Sequence, residues 1–123
     1  MPRFEMTLKG DIYEKARQFN HAFIKESLTA TFVGESTVHV DGVNTVTHVY
    51  ERFSPEDFNR DTVTLYLVQG SDGIIHASLI TAGGALDYDQ QMQSDRTVGE
   101  DHLLNSAIQI LESLQPETQL PEG

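Results

Sequence analysis

The sequence predicts a two-layer α+β domain, in which an antiparallel sheet of five or six strands carries two helices on one face in the order β-α-β-β-β-β-α. A run of strand-like segments stands between two segments of helical periodicity. Consecutive strands without intervening helices favour antiparallel hairpins over parallel crossovers. The two helical segments each have one apolar stripe, and the simplest surface for both stripes to cover is one face of the sheet.

The first strand and the first helix follow one another near the N-terminus. The stretch "RFEMTLKG" (residues 3–10) alternates apolar and polar residues, as a half-buried strand does. Asp11 stands three residues before Glu14, which is the spacing of a capping box. Apolar residues then recur at helical spacing, so we predict a helix over 11–26 with a stripe at Ile12, Ala16, Phe19 and Phe23.

The central part of the chain predicts four strands. Asp41-Gly42 and "GSDG" (residues 70–73) are turn signals of hairpins, and Pro55 ends one strand. Residues 34–36, which include Gly34, are predicted to break the chain after the first of these strands. The segments rich in β-branched and aromatic residues are 28–33, 43–53, 62–69 and 74–82.

The C-terminal third combines an ambiguous segment with a clear helix. "ALDYDQQMQSD" (residues 85–95) fits either an edge strand or a loop. Gly83-Gly84 is not a phosphate-binding loop, because neither G-K-[ST] nor a helix start follows it. The pair is predicted to permit a bulge or a sharp bend of the chain at the sheet edge. A second capping box at Thr97 and Glu100 precedes a helix predicted over 99–115. We expect residues 1–115 to form one domain and residues 116–123 to form a flexible acidic tail.

The strand alternation divides the side chains between two faces of the sheet. The residues predicted to face the helices are Phe4, Met6, Leu8, Phe32, Val63, Leu65, Leu67, Ala77 and Leu79. The residues predicted to face away are Thr29, Thr31, Thr62, Thr64, Tyr66, Val68, His76 and Ser78, joined by His48, Tyr50 and Arg52 from their own strand together with Val46.

Composition excludes several classes of function. The net charge of −11 repels nucleic acid and anionic lipid, so we expect neither nucleic-acid binding nor membrane binding. The absence of cysteine excludes disulfides, thiol nucleophiles and cysteine-based metal sites. The N-terminal residues lack the apolar core of a signal peptide, and no segment is long and apolar enough to span a membrane. These features predict a cytoplasmic protein.

The face that the helices leave uncovered holds the candidate site. Tyr50, Arg52, Tyr66 and His76 could supply polar contacts to a shallow ligand site there. Two other interpretations compete with the ligand site: a solvated sheet face rich in threonine, and a dimer surface. No metal-binding spacing or nucleophile elbow occurs, so the sequence predicts no metal, no cofactor and no catalytic residue. His48 and His76 could approach each other if their strands were neighbours.

Several segments together resemble a family of short bacterial proteins of unknown function, roughly 110–125 residues long. They are "TLKGD" (7–11), "VYERFS" (49–54), "TVTLYLVQGSDG" (62–73), "ASLITAGG" (77–84) and "TVGEDHLL" (97–104). The resemblance covers nearly the whole chain except the tail, and the segment "FSPEDFNRD" (53–61) departs from it by being longer and more acidic. It implies a single intracellular domain and brings no activity, cofactor or catalytic residue.

The sequence therefore predicts a small non-enzymatic domain that acts by binding or self-association, with a homodimer through the open sheet face as the main hypothesis. The alternative is a small-molecule-binding protein or an enzyme with its pocket between the C-terminal helix and the sheet. The ligand of such a pocket is not indicated by any motif.

Overall fold

The computed structural model of the chain describes residues 3–26, 30–54, 59–83 and 98–115, without the side chains of residues 54, 59 and 98–102. The described residues form five strands and two helices in the predicted order, so the predicted α+β fold is confirmed with five strands. The predictions for residues 84–97 and 116–123 lie outside these ranges. The elements are β1 (Arg3–Lys9), α1 (Ile12–Glu26), β2 (Ala30–Val40), β3 (Val43–Ser54), β4 (Asn59–Gln69), β5 (Ile74–Ala82) and α2 (Val98–Ser113).

The strands form one antiparallel sheet in the order β1-β5-β4-β3-β2. Strands β2 to β5 pair with their neighbours in the chain, whereas β1 pairs with β5, so α1 carries the chain from one edge of the sheet to the other. Asp41 and Gly42 both have positive φ angles, 51° and 79°. This is the conformation of a two-residue hairpin turn, and it confirms the turn predicted between β2 and β3.

Both helices cover the same face of the sheet. Asp11 caps α1, because its Oδ2 accepts a hydrogen bond of 2.9 Å from the Glu14 amide. The stripe of α1 is buried as predicted, and the rings of Phe19 and Phe23 stack with their centroids 5.5 Å apart. Lys15 Nζ donates a 2.7 Å hydrogen bond to the carbonyl of Leu114, which joins the start of α1 to the end of α2.

The core lies between the helices and the sheet, and it contains Leu8 of β1 and the inward-facing residues that the alternation predicts on β4 and β5, while Phe4 and Met6 are half-buried against it. From α2 it receives Leu103, Ala107 and Leu111. Phe32 is the exception among the predicted core residues. It lies on the helix side of the sheet but remains 41% exposed, because β2 is an edge strand.

The predicted break at residues 34–36 is wrong. Strand β2 continues to Val40, and the register against β3 shifts between Phe32 and Gly34, which leaves Val33 as the extra residue of a β-bulge. The bulge reverses the alternation, so that Glu35 lies opposite His48 on the helix side of the sheet. Without the bulge, Glu35 would face the other way.

Neither helix in the described part of the chain has the length and apolar character that crossing a membrane requires.

Candidate functional site

Two of the four predicted site residues lie where the alternation predicts, on the sheet face that the helices leave uncovered. We call this the open face. Tyr66 lies opposite Ser78, and Val68 lies opposite His76, in the β4–β5 register. The residues Tyr66, Val68, His76 and Ser78 line a groove of about 520 Å³ on this face. The groove is also lined by Glu5, Met6, Thr7 and Ala77. Tyr66 is 42% exposed, so its ring and hydroxyl are accessible from solvent.

The other two predicted site residues, Tyr50 and Arg52, lie on the helix side of the sheet, so the prediction that all four share one face is wrong. Tyr50 is 1% exposed and lies opposite Val63 of β4. His48 and Val46 also point to the helix side, where they are 4% and 0% exposed. Strand β3 has apolar residues on both of its sides, so its polarity did not show which side is buried.

A row of four polar side chains crosses the helix side of the sheet from β2 to α1. We call it the polar row: Glu35, His48, Tyr50 and Asn20. Glu35 Oε2 lies 2.9 Å from His48 Nε2, and His48 Nδ1 lies 3.1 Å from the Tyr50 hydroxyl. The Tyr50 hydroxyl lies 2.9 Å from Asn20 Oδ1. Only Glu35 reaches solvent substantially, with half of its side chain exposed.

Two proton arrangements satisfy every hydrogen bond of the polar row. If Tyr50 donates to Asn20 Oδ1, both ring nitrogens of His48 must donate, so His48 is an imidazolium beside the Glu35 carboxylate. If the Asn20 amide presents its NH₂ group instead, Tyr50 donates to His48 Nδ1 and the neutral imidazole donates from Nε2 to Glu35. The charge state of His48 is therefore linked to the orientation of the Asn20 amide.

Tyr50 is the centre of the buried aromatic cluster as well as of the polar row. Its ring contacts those of Phe19, Phe23 and Phe32, with centroid distances of 5.8, 4.9 and 5.6 Å. Burial raises the pKa of the Tyr50 hydroxyl, and the nearby Glu35 charge raises it further. Tyr50 thus stays neutral and serves as a hydrogen-bonding group in the polar row.

A second set of polar side chains lies on the helix side, near the start of β4. Arg52 Nη2 donates a 3.0 Å hydrogen bond to Asp61 Oδ2, and these side chains are only 15% and 3% exposed. Asp61 Oδ1 and the hydroxyl of Thr81 are buried without a hydrogen-bond partner among the described residues. The position of Arg52 is therefore explained by its ion pair with a buried carboxylate, since breaking such a pair leaves an uncompensated charge.

His48 and His76 do not approach each other. They lie on β3 and β5, which β4 separates, and they point to opposite faces of the sheet. Within the described ranges, no cluster of three or more histidine, aspartate or glutamate side chains could hold a metal ion.

The site residues predicted from the sequence do not include Asn20, Glu35 and Asp61. Asp61 is in phase with the aliphatic face of β4, two residues before Val63, and a polar residue in that phase was a usable signal. Asn20 lies four residues after the buried Ala16, beside the stripe of α1. Nothing in the sequence indicated Glu35, because the bulge that reverses its direction leaves no local pattern.

Comparison with known proteins identifies a family without a known activity. The sequence profile of DUF6054, a family of unknown function, matches residues 1–115. The chain belongs to this family. The resemblance to an uncharacterised family is thereby confirmed, and DUF6054 membership brings no substrate, cofactor or partner. No curated protein matches the sequence.

One solved structure that matches this chain is the hypothetical protein jhp0584 from Helicobacter pylori, a crystal structure at 1.88 Å resolution. It is 6% identical in sequence, and the match covers 90% of this chain and 82% of that chain with a TM-score of 0.49. A likeness at this score and identity indicates no function for the DUF6054 chain.

Replacing Tyr50 with phenylalanine tests the polar row. The change leaves His48 Nδ1 and Asn20 Oδ1 without their buried partner, so we expect the free energy of unfolding to fall by about 1–3 kcal/mol in urea titrations. Tyr66→Phe is the matched control, because it removes the same hydroxyl from an exposed site and should change stability by less than about 0.5 kcal/mol. Equal losses in the two variants would contradict the assignment of Tyr50 to the buried side.

The raised pKa of Tyr50 predicts a loss of stability at alkaline pH. The unfolded chain ionises near the ordinary tyrosine value of 10.0, whereas the folded chain holds the Tyr50 proton to higher pH. The stabilisation is complete below that value and is lost as pH rises through the folded pKa. The difference in unfolding free energy between wild type and Tyr50→Phe should therefore shrink above pH 10, and a difference that stays constant would refute this account.

Proposed function

We propose that this chain is a small non-enzymatic association domain that forms a homodimer through its open face. One observation carries the proposal. The open face combines exposed apolar side chains with a low content of acid, in a protein that has 19 acidic residues and 8 basic ones. Cytoplasmic location belongs to the same proposal and is supported by the composition.

The apolar side chains of the open face extend across the sheet. Tyr66 and Ile80 are 42% and 37% exposed near its middle, Phe53 is 39% exposed at one end, and Val38 is 49% exposed on the edge strand β2. Val68 is half-buried beside Tyr66. Tyrosine and phenylalanine are enriched in the cores of protein interfaces, so this surface has the composition of a moderately apolar contact.

The charges of the open face make it a better contact surface for a second copy than the remaining, more acidic surface of the molecule. The described acids on it are Glu5 and Glu51, whereas three bases, Arg3, Lys9 and Arg60, also lie on it. Glu51 is paired with Arg60, whose Nε lies 3.8 Å from Glu51 Oε2. Two copies of an acidic chain repel each other through their remaining surfaces, and this face reduces that repulsion at the contact.

The dimensions of the sheet predict a modest interface. Five strands about 4.8 Å apart and 7 to 12 residues long give a footprint on the order of 700 Å² before side-chain relief. Stable interfaces bury about 800 Å² per partner, and weak ones bury less than about 600 Å². The footprint falls between these two values, so the dimer should dissociate on dilution, within an experimentally accessible range of concentration.

The groove on the open face supports a second candidate function, small-molecule binding. Its volume of about 520 Å³ falls within the ordinary range for ligand pockets, and the polar groups of Glu5, Tyr66, His76 and Ser78 converge on it. The groove lies on the sheet face opposite α2. On the side of α2, the described residues Leu103 and Leu111 belong to the core.

Tyr66→Glu tests the proposed homodimer. A charged side chain in the middle of the contact should abolish it and halve the mass measured in light scattering, which takes an open-face dimer of the 13.7 kDa chain to the monomer. Tyr13→Glu is the matched control, because Tyr13 of α1 is exposed to a similar degree, 47%, and lies on the other side of the molecule. Its dimer should persist.

A wild-type protein that stays monomeric at high concentration would refute the homodimer. In that case a metabolite that raises the melting temperature of wild type, but not of His76→Ala, would establish the groove as a ligand site.

A further inference from the structure

The two edge strands of the sheet differ in how their outer sides are protected. Strand β1 carries the charges of Arg3, Glu5 and Lys9, and Gln115 Nε2, two residues after α2, donates to the carbonyl of Thr7. Charged residues and covering groups are the usual means by which proteins prevent an edge strand from pairing with another chain. One edge of this sheet is thus protected.

Strand β2 lacks these features over most of its length. Its eleven residues, "ATFVGESTVHV", contain no lysine, arginine or proline. The only acid, Glu35, is engaged with His48 of the adjacent strand. Val33, Val38 and Val40 are 57%, 49% and 56% exposed. A long edge without lysine, arginine or proline, whose one acid is paired within its own sheet, is a template for a further strand.

The regular part of this edge has a defined centre. The bulge at Val33 bounds it at one end, and the turn at Asp41-Gly42 bounds it at the other. Between them, residues 34–40 pair with β3 without a further register shift. The middle residue of this segment is Thr37, and the two ionisable residues Glu35 and His39 lie symmetrically on either side of it.

We propose that β2 pairs antiparallel with β2 of a second copy about a two-fold axis at Thr37, which joins the two sheets into one sheet of ten strands. In this register Glu35 lies opposite the partner's His39, and His39 lies opposite the partner's Glu35. Ser36 lies opposite the partner's Val38, and Gly34 lies opposite the partner's Val40. Opposite charges that face each other directly across two antiparallel strands stabilise the pairing.

The charges favour a second copy in this register over neighbouring registers. A two-fold axis at Val38 would place Glu35 opposite the partner's Asp41, and one at Ser36 would place it opposite the partner's Thr37. Only the axis at Thr37 pairs the whole segment between the bulge and the turn. It also places Glu35 of each copy opposite His39 of the other copy. The His39 ring is held by a hydrogen bond from Nδ1 to Asn44 Oδ1, so its Nε2 can donate to the partner's Glu35 in the imidazolium form.

This contact goes beyond the proposed homodimer and does not depend on it. A two-fold axis perpendicular to the sheet leaves both open faces on the same side of the ten-stranded sheet, with Tyr66 still accessible. The edge contact and the open-face contact can therefore form separately or together, and together they produce a tetramer.

A single engineered cysteine tests the edge contact, because the chain has no cysteine of its own. Residues directly opposite in an antiparallel pair have Cα atoms about 4.5–5.5 Å apart, and disulfides form at about 4.4–6.8 Å. Thr37→Cys lies on the axis, so mild oxidation should link two copies several-fold faster than in the controls. Val40→Cys is one control, since the two copies of Val40 would be about 20 Å apart in this register. Ser71→Cys, in the exposed β4–β5 turn, is the other.

A mixture of Ser36→Cys and Val38→Cys proteins gives a second reading of the register. These two positions face each other across the axis, so the mixed disulfide should form in preference to either homodimer. Circular dichroism confirms that each variant is folded before oxidation.

The oxidation is repeated with Tyr66→Glu present, which separates the edge contact from the open-face contact. Linkage of Thr37→Cys that persists in this background supports the edge contact even if light scattering refutes the open-face dimer. Equal rates at all three cysteine positions, linkage that disappears with Tyr66→Glu, or a Thr37→Cys protein that stays monomeric would each overturn the inference. If the Thr37→Cys protein stays monomeric, the partner that pairs with this edge strand would be an extended segment of a different protein.

Discussion

The structure depends on the fact that two helices cover one face of a five-stranded sheet and leave the other face uncovered. Side chains alternate along each strand, so every strand presents about half of its residues to the helix side and half to the open face. On β4 this division separates Val63, Leu65 and Leu67, all buried, from Tyr66, which is exposed. The apolar surface that remains on the open face, and the unpaired edge of β2, are the parts of the fold that self-association would use.

The polar row gives the helix side a second kind of constraint, because it joins three elements that hydrophobic contact alone would not align. Glu35 belongs to the edge strand, His48 and Tyr50 to β3, and Asn20 to α1. Buried polar groups are costly unless each finds its partner, so the row favours one register of β2 and one rotation of α1. The bulge at Val33 is part of this arrangement, since it turns Glu35 towards His48.

Much of the fold could be predicted from the sequence, and the errors have identifiable causes. Strands β1, β4 and β5 alternate clearly, so their buried residues could be assigned in advance, and the stripe of α1 was equally clear. On β3, apolar residues such as Val46 and Val49 occupy both sides, and only its register with β4 shows that Tyr50 and Arg52 face the helices. Of the four predicted site residues, Tyr66 and His76 therefore lie on the open face, and Tyr50 and Arg52 do not. The strand order and the bulge depend on long-range pairing, which local patterns do not encode.

The central claim is that the open face is the contact surface of a dimer, and methyl NMR spectroscopy of the wild-type protein over a dilution series tests it most directly. Val68 and Ile80 report on the open face, and the buried Val63 and Leu79 report on the core. The account predicts that the resonances of Val68 and Ile80 change as the dimer dissociates while those of Val63 and Leu79 stay constant. Open-face resonances that do not change while the measured mass falls from dimer to monomer would contradict it.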